Sequence, residues 1–269
     1  MSTVTTSPFK DIIDPFTALE MPRVWSLIVT VFGDLAQGED DLLRGSVLSA
    51  ISGSIGIRPE AMRVAIHRLR KDGWLQSHPS GRSTKYALTS EGRKQSVSAS
   101  PRIYAQSLPQ VANWHGLVSN PSDADSPMQM ARAVGEYGYF SVSPTLSIGI
   151  GRQFHHPSLF EFDAKNGNVA SWLKDATCPA DVSAQYQLLS EILAYIRGNL
   201  DNANRLSTIE AATLRVLIVH SWRRIVLRHP DLPINFFPED WPGTTCRALV
   251  HETLGLLPRP SVEALNRAI

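Results

Sequence analysis

The sequence predicts an α+β chain that opens with three helices followed by a basic hairpin. Helical apolar spacing recurs, with terminus signals, between residues 21 and 71. A Pro-Ser-Gly turn at 79–81 is followed by alternating Tyr86 and Leu88. The same stretch holds the charge. Between Leu42 and Gln95, ten Lys and Arg stand against three carboxylates, whereas the rest of the 269 residues carries sixteen against twenty-two. Such asymmetry suits a module that faces a polyanion, attached to a body without that charge.

The first element is Met21–Asp34, where Trp25, Ile28, Val29 and Phe32 recur at helical spacing. The β-branched run Ile28–Val31 keeps a buried strand in competition, but Pro22 at a first turn and Gly33-Asp34 at an end favour a helix. Leu42–Ser52 reads as a second helix, and Gly53–Gly56 breaks it. Arg58-Pro59-Glu60 opens a third, which runs to Lys71 and stops at Asp72-Gly73.

At about 100° per residue, Met62, Ile66 and Leu69 of this third helix cluster within about 60°. Arg63, His67 and Arg70 fill another sector roughly a right angle away, with Lys71 beside them. One face is core; the other is a row of donors that can reach phosphates and base edges. Trp74–His78 and Arg82–Leu88 flank the hairpin turn, with Arg82 and Lys85 near its tip. Three helices and a basic hairpin follow the order of a winged helix-turn-helix. A solvated basic helix without a ligand is the rival reading; helix order, charged face and basic hairpin together favour a DNA surface. Thr89 then reads as the N-cap of a further helix.

Beyond Ser96–Ala105, Val111–Val118 reads as a strand and Pro127–Gly138 as a helix with Met130, Val134 and Tyr137 on one side. Tyr139–Val142, Leu146–Ile150 and Leu159–Phe162 read as strands. This β-α-β-β order fits half of a ferredoxin-like unit. His155-His156 reads as surface loop, since neighbouring strand side chains point apart and no further ligands lie beside them. Asp181–Arg197 and Ser207–Arg228 read as helices, the second with a capping signal at Ser207–Glu210 and a stop at His229-Pro230. A last helix spans Thr244–Leu256. His220, Arg223, Arg224 and Trp241 are either an effector pocket, with Arg for phosphates and aromatic walls for an acyl group, or ordinary packing.

Several classes are excluded. No run of about 18 apolar residues is present, so no membrane helix is expected. Residues 1–14 do not read as a secretory signal, and Cys178 and Cys246, far apart, read as reduced thiols of a cytoplasmic protein. Neither a metal site nor a cofactor is expected. No dinucleotide, Walker, nucleophile-elbow or zincin motif occurs, which argues against an enzyme.

The stretches SLIVTVFGD (26–34), MRVAIHRLRKDGWL (62–75) and GRSTKYALTSEGR (81–93) resemble the N-terminal domain of the PaaX-like regulators, the phenylacetate-degradation repressor family. HSWRRIVLRHPDLPINFFPEDWPG (220–243) resembles that family's C-terminal motif. Val64 departs from the resemblance, since the family often has threonine there, and the middle of the chain matches poorly. The resemblance implies a winged helix-turn-helix domain at 20–95, a ferredoxin-like central domain at 96–175 and a helical effector or dimerisation domain at 180–269. It implies a repressor of a catabolic operon, released by an aryl-CoA thioester such as phenylacetyl-CoA. A homodimer would set two third helices in successive major grooves of a double-stranded operator. The residues expected at DNA are Arg58, Arg63, His67, Arg70, Lys71, Arg82 and Lys85. A winged-helix interaction adaptor is the alternative; it would require loss of the basic face.

Overall fold

A computed structural model describes residues 8–19, 22–81, 83–110, 113–165, 168–199 and 206–269. In chain order the first elements are α1 (Pro8–Leu19), α2 (Val24–Leu35), β1 (Leu43–Arg44), α3 (Gly45–Ser54), α4 (Pro59–Lys71), β2 (Leu75–Ser80), β3 (Ser83–Leu88) and α5 (Ser90–Ile103). The middle holds β4 (Asn113–Ser119), α6 (Ser126–Tyr137), β5 (Phe140–Ser143), β6 (Leu146–Gly149) and β7 (Leu159–Lys165). The remainder is α7 (Ser171–Thr177), α8 (Ala180–Asn199), α9 (Thr208–Val226), a 3-10 turn (Ile234–Phe236), α10 (Gly243–Leu256) and α11 (Val262–Arg267).

The chain forms two compact units with non-consecutive segments: 1–104, 188–226 and 245–269 in the first, 105–187 and 227–244 in the second. The boundaries expected at 95 and 180 therefore cut across both. The physical reason lies in α9, which packs against α2 and α3. Among the described residues, no helix is long and apolar enough to cross a membrane.

In the first unit α2 is buried nearly all round, including Leu27, Ile28, Val31 and Phe32. Burial on every side outweighs the modest helix propensity of its β-branched residues, so the helix prevails over a strand. Its ends differ from expectation. Pro22 lies ahead of the N-cap Arg23, and the helix passes through Gly33-Asp34 to Leu35. Gly33 serves packing instead, because a Cβ there would sit 3.0 Å from Ser96 Oγ. The helix expected from Leu42 starts at Gly45. Leu43 and Arg44 pair with Tyr86 and Lys85 of β3, and Leu43 is fully buried.

Helix α4 buries Met62, Ala65, Ile66 and Leu69 and is the expected element from first turn to last. It closes in a Schellman motif: Trp74 N–H donates to Leu69 O at 2.8 Å and Gly73 N–H to Arg70 O at 3.2 Å, with Gly73 at φ +74°. The three-stranded sheet runs β1-β3-β2. Its hairpin closes on the pair Ser80–Ser83, with Gly81 at φ +61°, so the turn comes after Ser80, later than the expected 79–81. Pro79 stands within β2 opposite Thr84; an edge strand tolerates it because no partner needs its missing N–H. Thr89 caps α5, accepting from Gly92 N–H at 3.0 Å.

In the second unit an antiparallel sheet of order β5-β6-β4-β7 carries α6 on one face. Leu117, Met130, Ala133, Tyr139, Phe154 and Leu159 form the core between them, with Val134 and Tyr137 packed against it. Strand β4 begins at Asn113; Val111 and Ala112 lie outside the described residues. A separate aromatic cluster joins Tyr186, His229, Phe237 and Trp241.

Candidate nucleic-acid interface

Helix α4 projects its polar face outward because the opposite face is held by α2 and α3. Arg58 sits at its N-cap, and Arg58, Arg63, His67, Arg70 and Lys71 are all exposed. Arg63, His67 and Arg70 come together at the rim of a depression of about 230 Å³, which Ser49 of α3 and Tyr86 of β3 also line. Gly45 lets β3 approach: a Cβ there would lie 3.3 Å from the Tyr86 ring.

Arg63 Nη2 donates to Glu60 Oε1 at 2.8 Å, with both side chains 70% exposed. An exposed pair of this kind contributes only about 0.2–0.5 kcal/mol, so a phosphate or base edge can displace it. Arg68 turns elsewhere. It donates to Asp72 at 3.4 Å and lies over the Trp25 ring at 5.7 Å. The sequence reading gave Val64 no part in this face, yet it is 69% exposed between Arg63 and His67. Its signal was the place of an apolar residue next to the cationic sector.

Lys85 is half-buried and stands three pairs from the turn, opposite His78 on one side and Arg44 on the other. It is therefore mid-strand, not at the tip. Alternation along β3 directs it to the sheet face opposite Tyr86. Arg82 lies outside the described residues.

His220 is 2% exposed on α9. Thr30 Oγ1 donates to Ser26 O and lies 3.0 Å from His220 Nδ1, so the ring N–H donates to the threonine oxygen. Burial first, then Arg223 and Arg224, lower the His220 pKa to about 3. Arg223 Nη2 reaches Ser26 Oγ at 3.4 Å, and burial lowers its pKa. Arg224 is exposed. Trp241 belongs to the second unit, where it is 6% exposed and stacks on Phe237 with ring centroids 4.1 Å apart. His220 and Trp241 thus each occupy the packed interior of their own unit.

A buried ionic cluster in the first unit escaped the sequence reading. Arg215 on α9 grips Asp34 of α2 through two hydrogen bonds of 2.7 and 2.9 Å, and donates to Leu257 O at 2.8 Å. Tyr104 donates to Asp34 Oδ1 at 2.6 Å, and Arg259 stands 3.5 Å from the same oxygen. Burial, then Asp34, raises the Tyr104 pKa. Asp34, the one charged residue of α2, and Arg215, within the apolar run Leu214–Val219, were the available signal.

Comparison with known proteins bears on this arrangement. The model of the PaaX-like protein family matches residues 23–92, and that of the PaaX-like protein C-terminal domain matches residues 179–267. The transcriptional repressor PaaX of Escherichia coli (strain K12) is 24% identical over 244 residues, covering 83% of this chain and 77% of that protein. A solved structure of an uncharacterized protein from Mycobacterium tuberculosis is similar in fold, with a TM-score of 0.50 at 16% identity over 90% of this chain and 97% of that one. The two matched family models together span more than half of the residues and include α4, its hairpin and the whole of α9. The chain belongs to the PaaX-like protein family.

Proposed function

We propose that this protein is a DNA-binding transcriptional repressor whose α4 enters the major groove. The single observation that carries this reading is the exposed row Arg63, His67 and Arg70, backed by a buried apolar face on the same helix. Kinship with a curated transcriptional repressor supports it. In this reading α2, α3, α4 and the β2–β3 hairpin act as a winged helix-turn-helix, and the β5-β6-β4-β7 sheet with α6 is a ferredoxin-like module in which residues 150–158 form the last crossover without a described helix.

Arg63 and Arg70 are suited to guanine O6 and N7, and Val64 offers methyl groups to a thymine 5-methyl. Arg58, Lys71 and Lys85 serve phosphates, and Arg82 is assigned to the wing. Two copies reading successive half-sites would form the operator complex. Release follows binding of an acyl-CoA, with an aryl-CoA thioester as the effector that the resemblance implies. Of the four residues first considered for that ligand, Arg224 has the exposure a phosphate contact requires, and Arg223 is partly exposed. Only a ligand with unequal affinity for two states can drive release.

The test is a gel shift on DNA upstream of the protein's own gene, challenged with phenylacetyl-CoA, other acyl-CoAs and the free acids. Specific retardation relieved by one thioester is expected. Absence of specific retardation on upstream DNA would refute the repressor reading; retardation untouched by every thioester would refute the effector alone.

A further inference from the structure

The outer edge of the β1-β3-β2 sheet is closed by a residue 222 positions along the chain. Strand β1 is the edge strand and only two residues long. The outward N–H and C=O groups of an edge strand are left to water unless something pairs with them. Here Asn266 of α11 does so. Its Oδ1 accepts from Arg44 N–H at 2.9 Å, and its Nδ2 donates to Leu42 O at 2.8 Å. In a parallel ladder the N–H and C=O of one residue bond in this way to the two residues that flank its partner. The side-chain amide therefore stands where a further strand would be, opposite Leu43. Among side chains, only the amides of Asn and Gln present donor and acceptor as a peptide does. The tie is doubled by Arg44 Nη1, which donates to the Asn266 carbonyl at 3.2 Å.

Helix α11 is itself anchored. Leu265, next to Asn266, is fully buried, and the helix packs on β1 and α9. Its first turn is capped by Ser261 Oγ, which accepts from Ala264 N–H at 3.1 Å. What β1 holds in turn lies on the face read as the DNA surface. Leu43 pairs with Tyr86 of β3, and Arg44 is the N-cap of α3, which begins at Gly45. Gly45, Ser49 and Tyr86 line the depression together with Arg63, His67 and Arg70 of α4, whereas Asn266 does not line it. All of these elements belong to the first compact unit.

We infer that Asn266 is a positioning residue for DNA recognition: by pairing with β1 it fixes Tyr86 and the start of α3 against the cationic face of α4. The inference rests on the repressor reading. Loss of the amide frees β1 on its outer side, so the recognition surface is out of register part of the time. Apparent affinity for a specific site then falls by the fraction of molecules in the competent arrangement. Binding to unrelated DNA follows phosphate charge rather than register, and no cation is removed.

Asn266→Ala in the full-length protein is the test. Amide hydrogen exchange at Arg44 should quicken about fivefold, the scale of one lost hydrogen bond. Affinity for the upstream DNA should fall by a similar factor of about five. Affinity for unrelated DNA, and the salt dependence on both DNAs, should stay at the parent's values. Asn266→Leu, which keeps the bulk and neither polar group, should behave alike and is the reporter if the alanine variant unfolds. A parent that binds upstream and unrelated DNA equally would sink the repressor reading. A discriminating parent beside a folded Asn266 variant that discriminates as well would overturn this inference alone, and so would unchanged exchange at Arg44. Equal losses on both DNAs would make Asn266 a general affinity contact and overturn its positioning role.

Discussion

Arg215 on α9 and Arg63 on α4 belong to the same compact unit, but the first is 7% exposed and the second has a side chain 70% exposed. Arg215 spends its donors on Asp34 and on the carbonyls at Leu254 and Leu257. Among the described residues, Arg63 holds Glu60 one turn away and the Pro59 carbonyl. Low dielectric makes the first pair costly to break, while water and salt screen the second and leave it exchangeable. Guanidinium groups thus hold the unit together where they are buried, and are available to a polyanion where they are not.

The sharpest way to break this contrast is Arg215→Met. It takes the two-bond partner from the buried Asp34 carboxylate and leaves it only Tyr104 and the half-exposed Arg259, and calorimetry should show a loss of about 3–5 kcal/mol. Combining it with Asp34→Asn should recover much of that loss, because the uncompensated charge is gone. A loss under about 1 kcal/mol would mean the pair is solvated after all.

Acid probes the same interior. His220 in the folded chain has a pKa of about 3 against an ordinary 6.5, so protons bind the unfolded chain preferentially. Its contribution to stability is present above about pH 6.5 and fades as pH falls toward 3, amounting to about 2 kcal/mol already at pH 5. Replacing His220 with Asn should flatten that limb of a denaturant-versus-pH series. An unchanged limb would show that His220 is not the group responsible.

On the exposed side, Arg63→Ala should leave thermal stability within about 0.5 kcal/mol, yet cost about 1–3 kcal/mol of operator affinity and relax base preference at one position. Competition binding against single-base operator variants reads both effects. The smallest effect concerns Val64. Replacing thymine by uracil at its contact should weaken the parent by about 0.8 kcal/mol, the scale of one buried methyl, and leave Val64→Ala indifferent. Equal sensitivity of both proteins to uracil would remove Val64 from the base-reading set.

Much of this contrast was legible in the sequence, for reasons that can be named. Helix α4 could be read whole because Pro59, its 3.6-residue apolar period and Gly73 all agree. Thr89 and the Ser207–Glu210 box were legible because a cap is a local event; Glu210 does bond back to Ser207 N–H at 2.8 Å. Strand β1 was not, since two residues carry no period and owe their conformation to β3. Nor was Asp34, whose partner lies 181 residues away. Gly33-Asp34 resembles a helix end locally, and only tertiary packing of α5 and α9 gives each residue another task. The pairing of His220 with Trp241 misled for the same reason: closeness in sequence across Pro230 and Pro233 does not place two side chains in one compact unit.

The claim on which the rest depends is that the exposed face of α4 meets DNA. Fluorescence anisotropy with labelled upstream DNA, comparing the parent with the Arg63→Ala/Arg70→Ala double variant at two salt concentrations, tests it most directly. The account predicts an unchanged melting temperature, specific affinity lower by more than tenfold, and a shallower salt dependence. A folded double variant that binds the same DNA as tightly as the parent, with the same salt slope, would contradict it.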